Sequence, residues 1–281
     1  MKKTVLITGA TGFIGRHVFK ELIVNDFLIK VVVRPQSAIK IQVDDKVKLI
    51  FTDNLFCESE RWWQKHCKGV DIVIHLAWNV EPGKYLESES NLECLSGSLR
   101  LAVGAAKSKV EKFIGIGTCF EYDVNQLKPL AINSPLLPQT LYAQSKLKLF
   151  DSCTALFKKY EIDFAWCRLF YIYGEGEDER RFVSYIMNKL SKGYEAELTS
   201  GNQVRDFLDV TEVAKMLSSV VQGDYRGPIN ICSGRAVTLK HLAEQIADIY
   251  GRRDLLKFGA RPENITDPLY VVGIPTIDVI F

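Results

Sequence analysis

Two stretches of this chain carry residue types whose spacing could do chemistry. In the first, the apolar run Val5-Leu6-Ile7 leads through Thr8 into Gly9-Ala10-Thr11-Gly12-Phe13-Ile14-Gly15. An apolar strand running into glycines spaced three apart suits the pyrophosphate of a dinucleotide. The strand ends in a tight turn, the backbone can approach the phosphates, and the next helix offers free N–H groups and the positive end of its dipole. The second stretch holds Tyr142 and Lys146. Four apart on a helix, they share one face, so the ammonium can sit beside the phenol and make it a usable acid. Neither motif is decisive alone. Together and in this order they point to nicotinamide-dependent redox chemistry.

The elements that must position these residues follow from the hydrophobic pattern. Apolar, β-branched runs at Thr4–Thr8, Lys30–Val33, Val47–Phe51, Asp71–Leu76, Phe113–Gly117 and Phe164–Leu169 read as strands, with mostly helical segments between them. That alternation implies an α/β fold, a doubly wound parallel sheet of Rossmann type covered on both faces. From about Ile172 the pattern loosens. A charged loop over Gly174–Arg181 precedes a helix at Phe182–Ser191, and a short strand near Pro228–Ile231 is expected to rejoin the main sheet. Leu239–Tyr250 has the period of an amphipathic helix. The expected organisation is a dinucleotide-binding domain from residues 1–170 plus about 207–232, with a smaller, discontinuous substrate domain from about 171–206 plus 233–281. The apolar end Val279-Ile280-Phe281 is expected to be covered.

Composition narrows the partners. A chain of 281 residues that is 47% hydrophobic and 25% charged is long enough for a sizeable core and has the make-up of a soluble globular protein. A net charge of +2 gives no reason to expect nucleic acid or a membrane as partner. Lys2 and Lys3 precede an apolar stretch that breaks at Gly9, which reads as a first strand rather than a signal segment. The cysteines (57, 67, 94, 119, 153, 167, 232) are scattered and odd in number, which fits reduced thiols in the cytoplasm. The four histidines are equally isolated, so no metal site is expected.

The same residues identify a wider resemblance. Gly9-x-x-Gly12-x-x-Gly15, Asp53 after the third strand, His75-Leu76-Ala77 after the fourth and Gly117-Thr118 after the fifth come in order, followed by Tyr142/Lys146, Arg168-Leu169-Phe170 and Arg205-Asp206-Phe207. The chain resembles the extended short-chain dehydrogenase/reductase superfamily, in its nucleotide-sugar-modifying branch. The likeness implies that Thr118, Tyr142 and Lys146 are catalytic. A phenol with a pKa near ~10 is a slow acid at neutral pH. Lys146 and the positive ring of the oxidised cofactor are expected to lower it, so that Tyr142 protonates a ketone oxygen that Thr118 also holds. The resemblance further implies that Gly9, Thr11, Gly12, Phe13, Ile14, Gly15, Arg34, Asp53, Asn54, Leu55, Leu76, Ala77, Trp78 and Asn91 line the cofactor together with Tyr142 and Lys146. Asp53 is expected to accept from the adenine amine. Arg34 stands where a carboxylate would hold the ribose of NAD; a guanidinium suits the 2′-phosphate of NADP, so NADP(H) is favoured and NAD(H) is the alternative.

The positions after Thr118 narrow the reaction. Sugar-nucleotide 4,6-dehydratases carry an Asp-Glu pair there, and 3,5-epimerising relatives a Cys two residues on, whereas this chain has Cys119 and Phe120. Phe cannot move protons, Cys119 reads as a small buried hydrophobe, and Glu121 is expected to point to the opposite face if the segment stays extended. What remains needs only hydride and one proton. The expectation is reduction of the C4 ketone of a nucleotide-linked 4-keto-6-deoxyhexose for surface-polysaccharide synthesis. The alternatives are a nucleotide-sugar 4-epimerase with bound NAD and, less favoured because the Tyr/Lys pair is intact, a non-catalytic dinucleotide-binding protein. Cys119, Phe120, Tyr171, Arg180, Arg205 and Arg261 are the expected substrate contacts, with the guanidinium of Arg205 clamping the diphosphate. Many relatives have Asn where this chain has Tyr171. A homodimer is a further expectation of the resemblance.

Overall fold

The computed structural model describes residues 2–264 and 267–277. The first half alternates strand and helix: β1 (Thr4–Thr8), α1 (Phe13–Val24), β2 (Leu28–Val33), β3 (Val47–Phe51), α2 (Glu60–Cys67), β4 (Ile72–His75), α3 (Ser90–Lys107), β5 (Lys112–Thr118), α4 (Leu141–Tyr160) and β6 (Asp163–Leu169). The second half contains β7 (Tyr171–Tyr173), α5 (Phe182–Ser191), β8 (Ala196–Glu197), β9 (Val204–Arg205), β10 (Phe207–Asp209), α6 (Val210–Gln222) and β11 (Gly227–Ile231). It continues through β12 (Val237–Thr238), α7 (Leu239–Tyr250), β13 (Leu256–Lys257) and β14 (Tyr270–Val271).

Seven strands form one sheet in the order β11-β6-β5-β4-β1-β2-β3, and every pairing in it is parallel. The order reverses at β1, where the glycine-rich turn leaves the sheet, which is where open α/β sheets bind ligands. The strands are apolar on both faces because both are covered. Val5 and Ile7 of β1 pack with Val18 and Leu22 of α1 and Val213 and Leu217 of α6. Leu6, between them, faces the other way, toward Trp63 of α2, Leu101 of α3 and Phe157 of α4. Each such large side chain removed from water contributes roughly 1.5–3 kcal/mol.

The helices begin where their caps begin. Thr140 accepts from the Ala143 N–H at the start of α4, Asp209 from Thr211 at α6 and Thr238 from His241 at α7. These caps fix the register of α4, and with it the face that carries Tyr142 and Lys146. A separate apolar cluster joins α5 to α7 through Val183, Ile186, Leu190, Ala243 and Ala247. Around it lie the short pairs β7 with β10, β8 with β13, and β9 between β12 and β14.

The strands and the two later helices read from the sequence are all present, and β11 rejoins the sheet beside β6. One local expectation fails. The segment after Thr118 does not stay extended but folds into a tight 3-10 turn, Cys119–Glu121. The apolar end at 279–281 lies outside the described residues. All seven cysteines are free thiols. Among the described residues no helix is long and apolar enough to cross a membrane.

Candidate active site

The glycine turn is shaped for close approach. Gly9 has φ +76°, a conformation that costs an L side chain energy, and a Cβ there would lie 2.7 Å from the Ala77 nitrogen. A Cβ on Gly15 would run into the Gly9 carbonyl. Gly12 stands at the N-cap of α1, and no side chain caps that helix. Its first N–H groups are therefore available to an anion at the positive end of the dipole. A cradle without side chains ahead of an uncapped helix fits a dinucleotide pyrophosphate. Arg34 is exposed immediately after β2, and Asp53 is exposed after β3. Asn54 caps the turn at Leu55–Cys57 by accepting from the Phe56 N–H.

Behind the glycine turn, His75 bridges Thr8 and Ser98 with 2.7 Å bonds from its two ring nitrogens, and the Thr8 hydroxyl accepts from the Ala77 N–H. Burial, with the Lys146 charge as a smaller cause, brings the His75 pKa down to about 3, so the ring is neutral.

Tyr142 and Lys146 lie on one face of α4, which packs against β5, and Thr118 at the end of that strand is near enough to lower the Tyr142 pKa slightly. Burial, followed by the neighbouring Tyr85, raises the Tyr142 pKa above that of a free phenol. The expected acidifying lysine is aimed elsewhere. Lys146 donates to the Ile116 carbonyl at 2.8 Å, and its Nζ sits 3.8 Å from the centre of the Trp78 ring and 5.9 Å from that of Tyr142. Burial lowers its pKa to about 7. Trp78 is held in turn by Asn91, which accepts from its indole N–H at 2.8 Å. Asn91 itself is fully buried and donates to the carbonyls of Tyr85 and Ser88. Its amide is thus committed to Trp78 and the 85–88 loop instead of facing a cofactor.

The turn after Thr118 carries no available proton-transfer group. Burial pushes the Cys119 thiol up to about 12. Phe120 packs edge-on to Tyr171. Glu121 is fully buried, and its carboxylate accepts from the Thr118 N–H, the Trp166 indole and the Arg168 guanidinium. The sequence expectation that Glu121 is turned away survives, but the cause is a tight turn and an ion pair rather than strand alternation.

On the far side of the site, Tyr171 lies with its ring centre 5.2 Å from the Arg205 guanidinium carbon, and its buried hydroxyl has no hydrogen-bond partner among the described residues. Burial raises its pKa well above the usual value. Arg205 is almost wholly buried and donates to the Asp267 carboxylate at 2.7 Å. Arg180 is folded back on Asp178 at the surface. Its neighbour Arg181 stacks over Tyr85, whose ring meets that of Tyr142 edge-on at 4.9 Å. Arg180 and Arg261 share the wall of an open cavity of about 510 Å³ with Tyr185, Lys189 and Tyr194, and none of Thr118, Tyr142 or Lys146 lines it. Tyr85 and Asp267 were not singled out from the sequence. Both come from long loops and meet their partners only in the folded chain.

Comparison with known proteins gives the family and supports the fold. The sequence profile described as the NAD dependent epimerase/dehydratase family matches residues 5–232. The chain is 24% identical to dTDP-6-deoxy-L-talose 4-dehydrogenase (NAD(+)) of Aggregatibacter actinomycetemcomitans, over 96% of this chain and 98% of that one. Among solved structures it resembles UDP-N-acetylglucosamine 4-epimerase of Methanobrevibacter ruminantium, in complex with UDP-N-acetylmuramic acid. The TM-score is 0.86 and the identity 26%, covering 98% of this chain and 91% of that one. UDP-glucose 4-epimerase of Thermus thermophilus in complex with NAD has the same fold, with a TM-score of 0.81 at 20% identity over 97% and 90% of the two chains. This chain belongs to the NAD dependent epimerase/dehydratase family.

Proposed function

We propose that this chain reduces the C4 ketone of a nucleotide-linked 4-keto-6-deoxyhexose with NAD(P)H, supplying a precursor of a surface polysaccharide. The observation that carries this reading is the turn after Thr118. Water cannot be removed across two carbons without an acid and a base beside the sugar, and there this chain has a protonated thiol, a phenyl ring and a carboxylate locked to Arg168. Ketone reduction needs less: one hydride to carbon and one proton to oxygen.

Residues 1–170 with about 207–232 hold the dinucleotide, the diphosphate at Gly9, Gly12 and Gly15, and about 171–206 with 233–281 hold the sugar nucleotide. When bound, the reduced nicotinamide supplies the hydride. Thr118 at the end of β5 and Tyr142 on the helix packed against that strand are placed to bring their hydroxyls to the ketone oxygen from two sides. Tyr142 gives its proton to that oxygen as charge develops, and Thr118 holds the oxygen by a second hydrogen bond. Lys146, although it donates to the Ile116 carbonyl, lies 5.9 Å from the centre of the Tyr142 ring, and at that distance its charge favours the phenolate left behind. Arg34 favours NADPH by pairing with the 2′-phosphate, and Arg205 binds the diphosphate of the sugar nucleotide. The protein acts as a homodimer.

The test is incubation with NADPH and dTDP-, CDP-, GDP- and UDP-linked 4-keto-6-deoxyhexoses, following nicotinamide absorbance and product mass. One cofactor oxidised per sugar is expected. A nucleotide hexose that loses water without added reductant overturns the reading. C4 epimerisation with bound NAD is the second reading, because it uses the same three groups and relatives of this chain are named as 4-epimerases. Interconversion of C4 epimers without net cofactor consumption would establish it instead.

A further inference from the structure

Glu121 takes no part in the reaction proposed above, yet it anchors a fully buried polar network. Its carboxylate accepts from the Thr118 N–H at 2.9 Å, and the Thr118 hydroxyl in turn accepts from the Phe120 N–H at 3.3 Å. This is a reciprocal cap around a single turn. With one lone pair of the hydroxyl engaged by Phe120, the Thr118 proton stays free to be donated outward. The carboxylate is also fixed to the neighbouring strand. Trp166 Nε1 donates to both oxygens at 3.0 and 3.1 Å, and Arg168 Nε donates at 2.7 Å. Arg168 continues to the Tyr122 hydroxyl, which donates to Asn230 of β11. The Asn230 amide then donates to the carbonyls of Leu130 and Ile274.

Two features say that this network is there for geometry. First, β5 makes room for it: a Cβ on Gly117 would run into the Trp166 indole and the Glu121 carboxylate. Second, a fully buried ion pair is an inefficient way to gain stability, since desolvating each ion costs several kcal/mol and packed apolar residues often do as well. What it supplies that apolar packing does not is a single directed arrangement of the groups it bonds.

We propose that Glu121 is a positioning residue for Thr118: held on β6 by Trp166 and Arg168, it fixes the turn that aims the Thr118 hydroxyl at the reacting oxygen. The proposal rests on the reading of Thr118 as an oxygen-holding group. The experiment compares Thr118→Ala, Glu121→Ala, Glu121→Gln, the double variant Thr118→Ala/Glu121→Gln, and Tyr122→Phe. The substrate is whichever of the four nucleotide-linked 4-keto-6-deoxyhexoses is reduced fastest with NADPH. Turnover, KM, NADPH affinity and Tm are measured for each.

Misplacement of a reacting group by about 1 Å can cost on the order of 10²-fold, so Glu121→Ala should lose roughly 30- to 100-fold in kcat with KM and NADPH affinity changed less than about threefold. Glu121→Gln, which still accepts from Thr118, should lose less. In the double variant, Glu121→Gln should cost nothing beyond Thr118→Ala. Tyr122→Phe, which breaks the network beyond Arg168, should lower Tm while leaving kcat unchanged. A crystal structure of Glu121→Ala gives a readout that needs no substrate: the turn should open and the Thr118 hydroxyl should have left the Phe120 N–H. Full kcat in both Glu121 variants, or losses that multiply in the double variant, would overturn the proposal, as would an unmoved Thr118 hydroxyl. Full turnover in Thr118→Ala would remove the underlying reading of Thr118 instead, and that arm separates the two failures.

Discussion

The proposed dinucleotide end and the proposed sugar end of this site are prepared in opposite ways. Around Gly9 to Gly15 the chain leaves its polar groups open: α1 has no side-chain cap, and the turn has no side chain at its closest approaches. Across the site the cations are already engaged. Arg205 is bonded to Asp267, Arg180 to Asp178, and Arg181 lies over Tyr85. The first region is an anion cradle ready to be filled. The second is closed by its own counter-ions, and a diphosphate must compete with Asp267 for the Arg205 guanidinium. Thr118, Tyr142 and Lys146 stand between them, rigidly held by β5 and α4.

The difference can be broken from either side. The largest effect should come from the centre. Tyr142→Phe deletes the proton donor and keeps the ring, so turnover should fall by roughly 10²- to 10⁴-fold while a fluorescence titration finds NADPH binding unchanged. Near-normal turnover would mean that the proton comes from another group.

Arg205→Ala should act on the sugar end alone. Losing charge-assisted hydrogen bonds of roughly 1.5–3 kcal/mol should raise KM for the nucleotide sugar by about 10- to 100-fold. NADPH affinity should not move. If both ligands weaken together, the two ends are not separately built.

Arg34→Asp probes the cradle. Replacing a cation by an anion at the ribose end should remove a preference for NADPH over NADH, by about tenfold or more for each charge-assisted bond lost. Equal affinities for the two cofactors in the unaltered protein would contradict the role given to Arg34.

The smallest effect concerns stability. His75 has a pKa of about 3 in the folded chain and roughly 6.5 when unfolded. Between these values the unfolded chain binds a proton that the folded chain refuses. Stability is therefore lost as pH falls from 6.5 toward 3, by at most about 1.4 kcal/mol per pH unit. His75→Gln should flatten the decline of Tm over that window. A decline of unchanged slope would assign the acid sensitivity to other groups.

How much of this was legible in the sequence depended on whether a residue's role is local. The sheet strands were readable because a strand buried on both faces is apolar along most of its length, as in residues 5–7 and 164–167. The helix Phe182–Ser191 was readable from its apolar period. The glycine turn and the Tyr142/Lys146 spacing are likewise local patterns. Glu121 is turned away as expected, but not by strand alternation, because β5 ends at Thr118 and the chain turns there. The corrective signal was present: a Thr followed three residues later by Glu is the signature of a reciprocal cap. The Arg205–Asp267 pair, and the Tyr85 ring against Tyr142, join residues dozens of positions apart, and nothing in either local sequence announces its partner.

The most direct measurement follows the hydride. NADPH deuterated at the transferring position of its nicotinamide is incubated with the nucleotide-linked 4-keto-6-deoxyhexose that the protein uses fastest, and the product is analysed by mass and NMR. The account predicts one deuterium at C4 of the sugar for each NADP⁺ formed, with the C6 deoxy group untouched. A sugar that changes configuration or loses water without taking up deuterium, while the NADPH remains unspent, would contradict it.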